Sequence, residues 1–211
     1  MKMDNNLISI CIPTYKRDSK IIERVLRSII YQSPNLLDRI RVVIISDVNG
    51  KEPHVEKLVE KYKNVINIIY KSSNKHLGDY ANTNRSILLE YAHNYLHTKY
   101  NLFLDDDNLI FPHYLETCID KLESNPEIDF TICKIIHLGP LPPHFGKIDI
   151  LTGVPPVKQN IDTLQVFCKT SKMYECGWDV DAGYIADGVT FEKLANMAEW
   201  IEIDEILGVH L

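Results

Sequence analysis

The stretch YNLFLDDDN, residues 100–108, decides how this chain is read. Tyr100–Leu104 carries no charge and reads as a short buried strand. It runs directly into Asp105, Asp106 and Asp107. Three adjacent carboxylates repel one another, and left unpaired their pKa values rise. A hard divalent cation relieves that repulsion: Mg2+ and Mn2+ favour oxygen ligands, commonly one or two carboxylates together with phosphates. In an extended segment Asp105 and Asp107 point to one side and Asp106 to the other. The competing reading is a solvated acidic turn. The position directly behind an uncharged strand favours a site.

Outward from this stretch, strands and helices alternate. Leu7–Ile12 is a β-branched apolar run stopped by Pro13-Thr14. A helix follows, capped by Asp18 or Ser19, with Ile21, Ile22, Val25, Leu26, Ile29 and Ile30 on one face. Arg41–Ser46 is a second strand closed by Asp47, Val55–Tyr62 a short helix, and Val65–Tyr70 a third strand. After the polar loop Lys71–Asp79, Tyr80–His97 reads as a helix with Ala81, Ile87, Leu88, Tyr91, Ala92 and Tyr95 inward. Beyond the aspartates come a helix over Pro112–Leu122, strands at Ile128–Ile136 and Leu164–Lys169, a helix over Gly188–Ala198, and one or two strands in Trp200–Leu211. The proline-rich stretch 138–157 reads as a loop or flap with room for one short strand.

This alternation predicts an α/β domain with a mostly parallel central sheet flanked by helices. Ligands of such sheets bind beyond the carboxyl ends of the strands. Pro13-Thr14, Asp47, the Lys71–Asp79 loop and the aspartates all fall at such ends. Four strand ends delivering polar residues to one rim is a stronger signal than any one motif.

Composition narrows the function. The 211 residues carry a net charge of −6, which argues against a nucleic-acid partner, since backbone binding needs clustered Lys and Arg. No apolar run approaches a membrane-spanning length, and the N-terminus lacks a signal-peptide core. The five cysteines form no C-x-x-C pair and mostly sit in apolar runs, as small buried hydrophobes in a reducing compartment do. The expectation is a soluble protein of the cytoplasm.

ISICIPTYKR at 8–17, NKHLGDYANTNRS at 74–86 and NLFLDDDN at 101–108 together resemble the successive signatures of glycosyltransferase family 2. The resemblance implies a GT-A fold over residues 1–211, with a nucleotide-sugar-binding half at 1–110 and an acceptor-binding half at 111–211. It implies a UDP-sugar donor, Mn2+ or Mg2+ as cofactor, and a glycan or glycoprotein acceptor. Pro13, Thr14, Tyr15 and Arg17 match the segment lining the nucleotide pocket. Asp47 matches the acid facing the base, where a carboxylate can accept the uracil N3–H. Gly78, Asp79 and Asn84 match the region near base and ribose, and Arg85 follows it. Asp105, Asp106 and Asp107 match the D-x-D motif, with Asp105 and Asp107 as metal ligands. Taken alone, Pro13-Thr14 would read as a strand terminator, and Asn84 and Arg85 as an exposed helix face.

The resemblance also asks for a carboxylate that takes a proton from the acceptor hydroxyl. GWDVDAGYIADGVTFEKL at 177–194 offers Asp187 first and Asp181 second. Asp187 reads equally well as the N-cap of the following helix, and Ala186 stands where the family usually has Glu. His210 matches a late third metal ligand, against the reading of a frayed terminus. Its place one residue from the end gives the expectation of a domain from a longer protein. Trp178 reads as a sugar-stacking or a core aromatic. Two other functions compete. One is a sugar-nucleotide-binding subunit without a working base. The other is a haloacid dehalogenase-type phosphohydrolase, disfavoured because its D-x-D stands on a first strand rather than a fourth.

Overall fold

The computed structural model describes residues 6–138, 150–158 and 160–211. Its centre is a nine-stranded sheet. Four strands run parallel: β1 (Ile8–Thr14), β2 (Ile40–Ser46), β3 (Asn67–Ser72) and β4 (Tyr100–Phe103), in the order β3-β2-β1-β4. The sheet continues through β8 (Val166–Lys169), β6 (Phe130–His137), β9 (Trp200–His210) and β5 (Leu109–Ile110), with β7 (Ile150–Leu151) on β6. β8 is antiparallel to both β4 and β6, while β9 runs parallel to β6. The sheet therefore joins a parallel half to a mixed half.

The inner strands β1, β2, β4 and β8 are largely apolar because both faces are covered, while β3 and β9 carry exposed polar residues. Side chains alternate along them, so Ile8, Ile10 and Ile12 of β1, with Val42 and Ile44 of β2, enter one core, while Cys11, Val43 and Ile45 enter the other. The first core packs against α1 (Ser19–Ile30), α2 (Pro53–Tyr62) and α4 (Tyr114–Ser124). The second packs against α3 (Asn82–Tyr91), α5 (Thr170–Cys176) and α6 (Ala186–Ala195). Each fully buried Ile or Leu in these layers contributes roughly 1.5–3 kcal/mol by leaving water. All five cysteines are free and buried.

Asp18 caps α1, its carboxylate accepting from Lys20 N at 2.8 Å. The expected long helix from Tyr80 is shorter. Tyr80 and Ala81 take left-handed backbone at φ 57° and 64°, and α3 ends at Tyr91 in a π-turn over Ala92–Leu96. Its inward face also differs: Ile87 and Tyr95 are exposed, and buried Asn82, Asn84 and Arg85 join Leu88 and Leu89. Apolar periodicity misplaced this face because the helix turns polar side chains toward the strand ends. The segment expected before β8 starts as a 3-10 turn, Thr163–Gln165. The proline-rich flap lies largely outside the described residues, with β7 falling within it.

β9 carries two register shifts against β6 on either side of Lys134, the first passing over Asp204 and Glu205 and the second over Leu207. Such bulges re-aim the strand beyond them. Past the shifts the two strands pair again to His137 opposite His210, and Leu138 N donates to the His210 carbonyl at 2.8 Å. His210 is thus anchored in the sheet, which removes the frayed-terminus reading. No helix among the described residues is long and apolar enough to cross a membrane.

Candidate active site

The parallel strands deliver four acidic residues to one rim. Asp47, immediately after β2, is buried, and its carboxylate holds the loop after β3. It accepts from His76 Nδ1 at 2.8 Å, Leu77 N at 2.9 Å, Gly78 N at 3.3 Å and Ser73 Oγ at 3.3 Å. Both oxygens are occupied by the chain itself, so Asp47 shapes the loop and does not stand open to accept an N–H from a base. Beside it the Tyr15 and His76 rings stack at 4.2 Å, with both side chains part-exposed. Asp79 Oδ2 accepts from Thr83 N at 2.9 Å. Asp79 Oδ1 and both polar atoms of the fully buried Asn84 have no hydrogen-bond partner among the described residues. Leaving such buried groups unmet costs about 1–3 kcal/mol each.

The triplet departs from the alternation expected of a strand. β4 ends at Phe103, and Asn108 N donates to the Asp105 carbonyl at 3.1 Å, closing a turn over the aspartates. Asp106 and Asp107 consequently share one partner. Arg17 Nε donates to Asp106 at 2.8 Å and its Nη2 lies 2.9 Å from Asp107, while Thr14 Oγ1 donates to Asp106 at 2.7 Å. Asp106 is buried and fixes Thr14 and Arg17, with Pro13 in register beside Ile45 in the preceding pair of strands. Asp105 turns the other way, pairing with Arg85 and accepting from Thr163 Oγ1 at 3.3 Å. Burial pushes the Asp106 and Asp107 carboxyls up, and Arg17 opposes the shift.

Asp105 and Arg85 open onto a cavity of about 390 Å3 that the mixed half completes. Asp162, Thr163, His137 and His210 close one side, and Tyr184 to Asp187 the other. His210 Nδ1 donates to Asp162 at 2.8 Å, leaving Nε2 for another partner, and its ring stacks on His137 at 4.3 Å. Burial draws the His210 pKa down, but Asp162, with Asp105 and Asp107, outweighs it and lifts it to about 9.

Of the two readings of Asp187, base and helix cap, the structure does not form the cap. A 3-10 turn over Gly183–Ile185 feeds into α6, so the helix starts at Ala186 and Ile185 occupies the cap without a side-chain bond. Asp187 lies one residue inside. Among the described residues its carboxylate accepts only from Gly188 N, at 2.7 Å. Burial, then the charges of Asp162 and Asp105, raise its pKa to about 7, against a smaller opposing effect of Gly188 N and Arg85. Asp181 is exposed in a turn held by the Asp179 carboxylate and lies outside the cavity lining. Trp178 is buried edge-on to Phe103 and Phe191, a core aromatic.

Sequence reading missed Asp162, Thr163 and His137. Asp162 carried one usable signal, Asp-Thr-Leu-Gln as a capping box, which the structure forms: its Oδ1 accepts from Leu164 N at 2.9 Å and Gln165 Oε1 from Asp162 N at 3.0 Å.

The model of the family described as Glycosyl transferase family 2 matches residues 9–151, more than half of the chain. The chain belongs to glycosyltransferase family 2. An uncharacterised glycosyltransferase of Methanocaldococcus jannaschii is 26% identical over 129 residues, which make up 61% of this chain and 41% of that protein. S. aureus TarS, residues 1–349, superposes with a TM-score of 0.73 at 16% identity, covering 96% of this chain and 60% of that one. The mannosyltransferase PcManGT of Pyrobaculum calidifontis, solved with GDP-Man and Mn2+, superposes with a TM-score of 0.69 at 18% identity, covering 96% and 56%. These likenesses give the family 2 chain the GT-A fold. It spans well under two thirds of each of these relatives.

Proposed function

We propose that this family 2 chain is a metal-dependent inverting glycosyltransferase, moving a hexose or deoxyhexose from a UDP-sugar to a hydroxyl of a glycan or glycoprotein. The observation that carries the reading is the cavity that brings Asp105 and His210 together with Asp187, a carboxylate in no ion pair among the described residues, whose burial raises its pKa to about 7. A general base works best when its pKa lies near the operating pH. The acceptor oxygen attacks the anomeric carbon, the bond from that carbon to the diphosphate oxygen breaks, and Asp187 takes the hydroxyl proton. Attack opposite the leaving group inverts the centre.

Asp105, Asp107 and His210 would hold the divalent cation, Mn2+ or Mg2+. The donor set suits such an ion, with two hard carboxylates and an imidazole whose Nδ1 is already engaged by Asp162. Among the described residues no three acidic, His or Cys side chains are gathered as a metal cluster. Asp105 and Asp107 are held instead by Arg85 and Arg17, so loading requires those two pairs to open, while the Asp162 bond to His210 Nδ1 can stay. When bound, the cation would offset charge developing on the leaving diphosphate. Mn2+ in PcManGT and UDP-GlcNAc in TarS support the metal and the donor class. The stacked, part-exposed rings of Tyr15 and His76 are the surface that would receive the base. Five buried thiols accord with a reducing compartment such as the cytoplasm.

The test is a donor screen by thermal shift and hydrolysis across UDP-, GDP- and dTDP-sugars with Mn2+, followed by transfer assays on Asp187→Asn and Asp181→Asn. Transfer surviving both substitutions would leave a nucleotide-sugar-binding subunit as the better account. Binding of UDP with equal affinity in EDTA would remove the metal from the proposal.

A further inference from the structure

Two tyrosines at the mouth of the cavity have no part in the scheme above. Tyr80 and Tyr184 are 65% and 80% exposed, and Tyr184 is the most exposed large apolar or aromatic side chain among the described residues. They meet edge to face, 5.8 Å between centroids at 75°, and both line the cavity that holds Asp187. Exposed rings gain little from one another, so packing alone does not account for their position.

The backbone beneath them is built with care. Tyr80 and Ala81 both hold left-handed φ, a costly conformation for residues with side chains, and Gly183 at φ 64° sets up Tyr184. Buried Asn82 joins the two segments: its Nδ2 donates to the Gly183 carbonyl at 2.9 Å and its Oδ1 accepts from Trp178 Nε1 at 3.1 Å. Arg85, which pairs with Asp105, also donates to the Tyr80 carbonyl at 2.8 Å. A residue from the nucleotide half and one from the acceptor half are thus clamped into one aromatic corner.

We infer that Tyr80 and Tyr184 form the binding platform for the acceptor, receiving a pyranose ring against an aromatic face at the cavity mouth. This rests on the glycosyltransferase reading. Sugar rings present a face of C–H groups that packs on aromatics, while their rims of hydroxyls keep contact with water and polar residues. In the scheme proposed above the donor diphosphate would sit at Asp105, the one aspartate of the triplet that lines this cavity and far less exposed than the two rings, which leaves the rings to the acceptor. Tyr184 stands three residues before Asp187, one turn from the proposed base. A ring stacked there brings a hydroxyl to that carboxylate.

The experiment takes the chain with Mn2+ and UDP and probes it with methyl pyranosides of glucose, galactose, mannose and xylose by saturation-transfer NMR. At least one should bind wild type. Tyr184→Ala should weaken that binding at least tenfold, and Tyr80→Ala several-fold, while Tyr184→Phe stays within about twofold. Calorimetric affinity for UDP and for the UDP-sugar selected by the donor screen is measured for each variant. The platform is overturned if no pyranoside binds, or if Tyr184→Ala binds it as wild type does. It is overturned equally if UDP-sugar affinity falls in step with pyranoside affinity, because the rings would then serve the donor. If wild type fails to bind UDP at all, the glycosyltransferase reading itself falls. UDP binding without pyranoside binding removes the platform alone.

Discussion

The two halves of the site treat their carboxylates differently. At the ends of the parallel strands, four carboxylates are answered by another part of the chain: Asp47 by the loop after β3, Asp106 and Asp107 by Arg17, Asp105 by Arg85. On the side built from α6, Asp187 has one backbone N–H and otherwise buried surroundings with other acids nearby. Compensated charges hold a shape and wait for a ligand that can replace their partners. An uncompensated one is poised to take up a proton. The contrast separates the binding work of the site from its chemistry.

The sharpest way to break this contrast is Asp187→Asn. Transfer should fall about 10²–10⁴-fold in kcat, the usual worth of a general base, with UDP affinity retained. The wild-type rate should also lose activity toward acid, with an inflection at or below about 7, since a bound cation can only lower the pKa of the free site. Stopped assays over pH 5–9 check both. A rate within threefold of wild type would show that Asp187 is as structural as its counterparts at the strand ends.

The same substitution has a consequence in the protein alone. The folded-state pKa of Asp187 stands above its ordinary value, so the folded protein binds a proton that the unfolded chain releases. Stability is therefore lost as pH rises from about 4 through about 7. Above that window the cost is roughly 2–4 kcal/mol, and Asn does not bear it. Asp187→Asn should melt higher than wild type at pH 8 and alike at pH 4. Equal melting at both would mean the carboxylate is better solvated than its surroundings imply.

At the strand ends, Asp107→Ala should weaken Mn2+-dependent UDP binding about tenfold or more, or 1.4 kcal/mol per decade. Arg17→Ala acts on the other partner. It strands buried Asp106 and should destabilise the metal-free protein by about 1–2 kcal/mol, reduced by the exposure of Arg17 itself. Calorimetry and thermal melts resolve the two. A metal-free melt unchanged in Arg17→Ala would mean that Thr14 alone suffices to hold Asp106.

The same division explains what could be read from the sequence. β1, β2 and β4, buried on both faces, wrote themselves as nearly continuous apolar runs, and with the half-covered edge strand β3 they made the order of elements and the position of the aspartates legible. The direction of each aspartate did not follow, because a turn after Phe103 replaces strand alternation. The polar face of α3 was hidden because Asn84 and Arg85 look like solvent-facing residues until the helix is placed over the strand ends. Asp187 was found as a candidate base, but its alternative reading as a cap fell away, since a 3-10 turn leads into α6 and the helix starts two residues earlier than expected, at Ala186. Asp162 depends on a partner, His210, that lies 48 residues away, and no local pattern joins them.

His210→Ala gives the smallest expected effect and sharpens the comparison at its boundary. His210 belongs to the mixed half of the sheet yet is compensated like the aspartates, by Asp162 at 2.8 Å. If it is a metal ligand, its loss removes one of three donors, and Mn2+-dependent activity should fall several-fold with half-saturation by Mn2+ shifted upward. Asp162 would at the same time lose its partner, so a stability loss of about 1–3 kcal/mol is expected for a purely structural pair as well. The two effects separate through His210→Gln, which can still donate to Asp162 but binds metal poorly. Recovery of the melting temperature without recovery of the Mn2+ dependence would assign His210 to the metal. Recovery of both would assign it to Asp162 alone, and the metal would then rest on the two aspartates and the donor's phosphates.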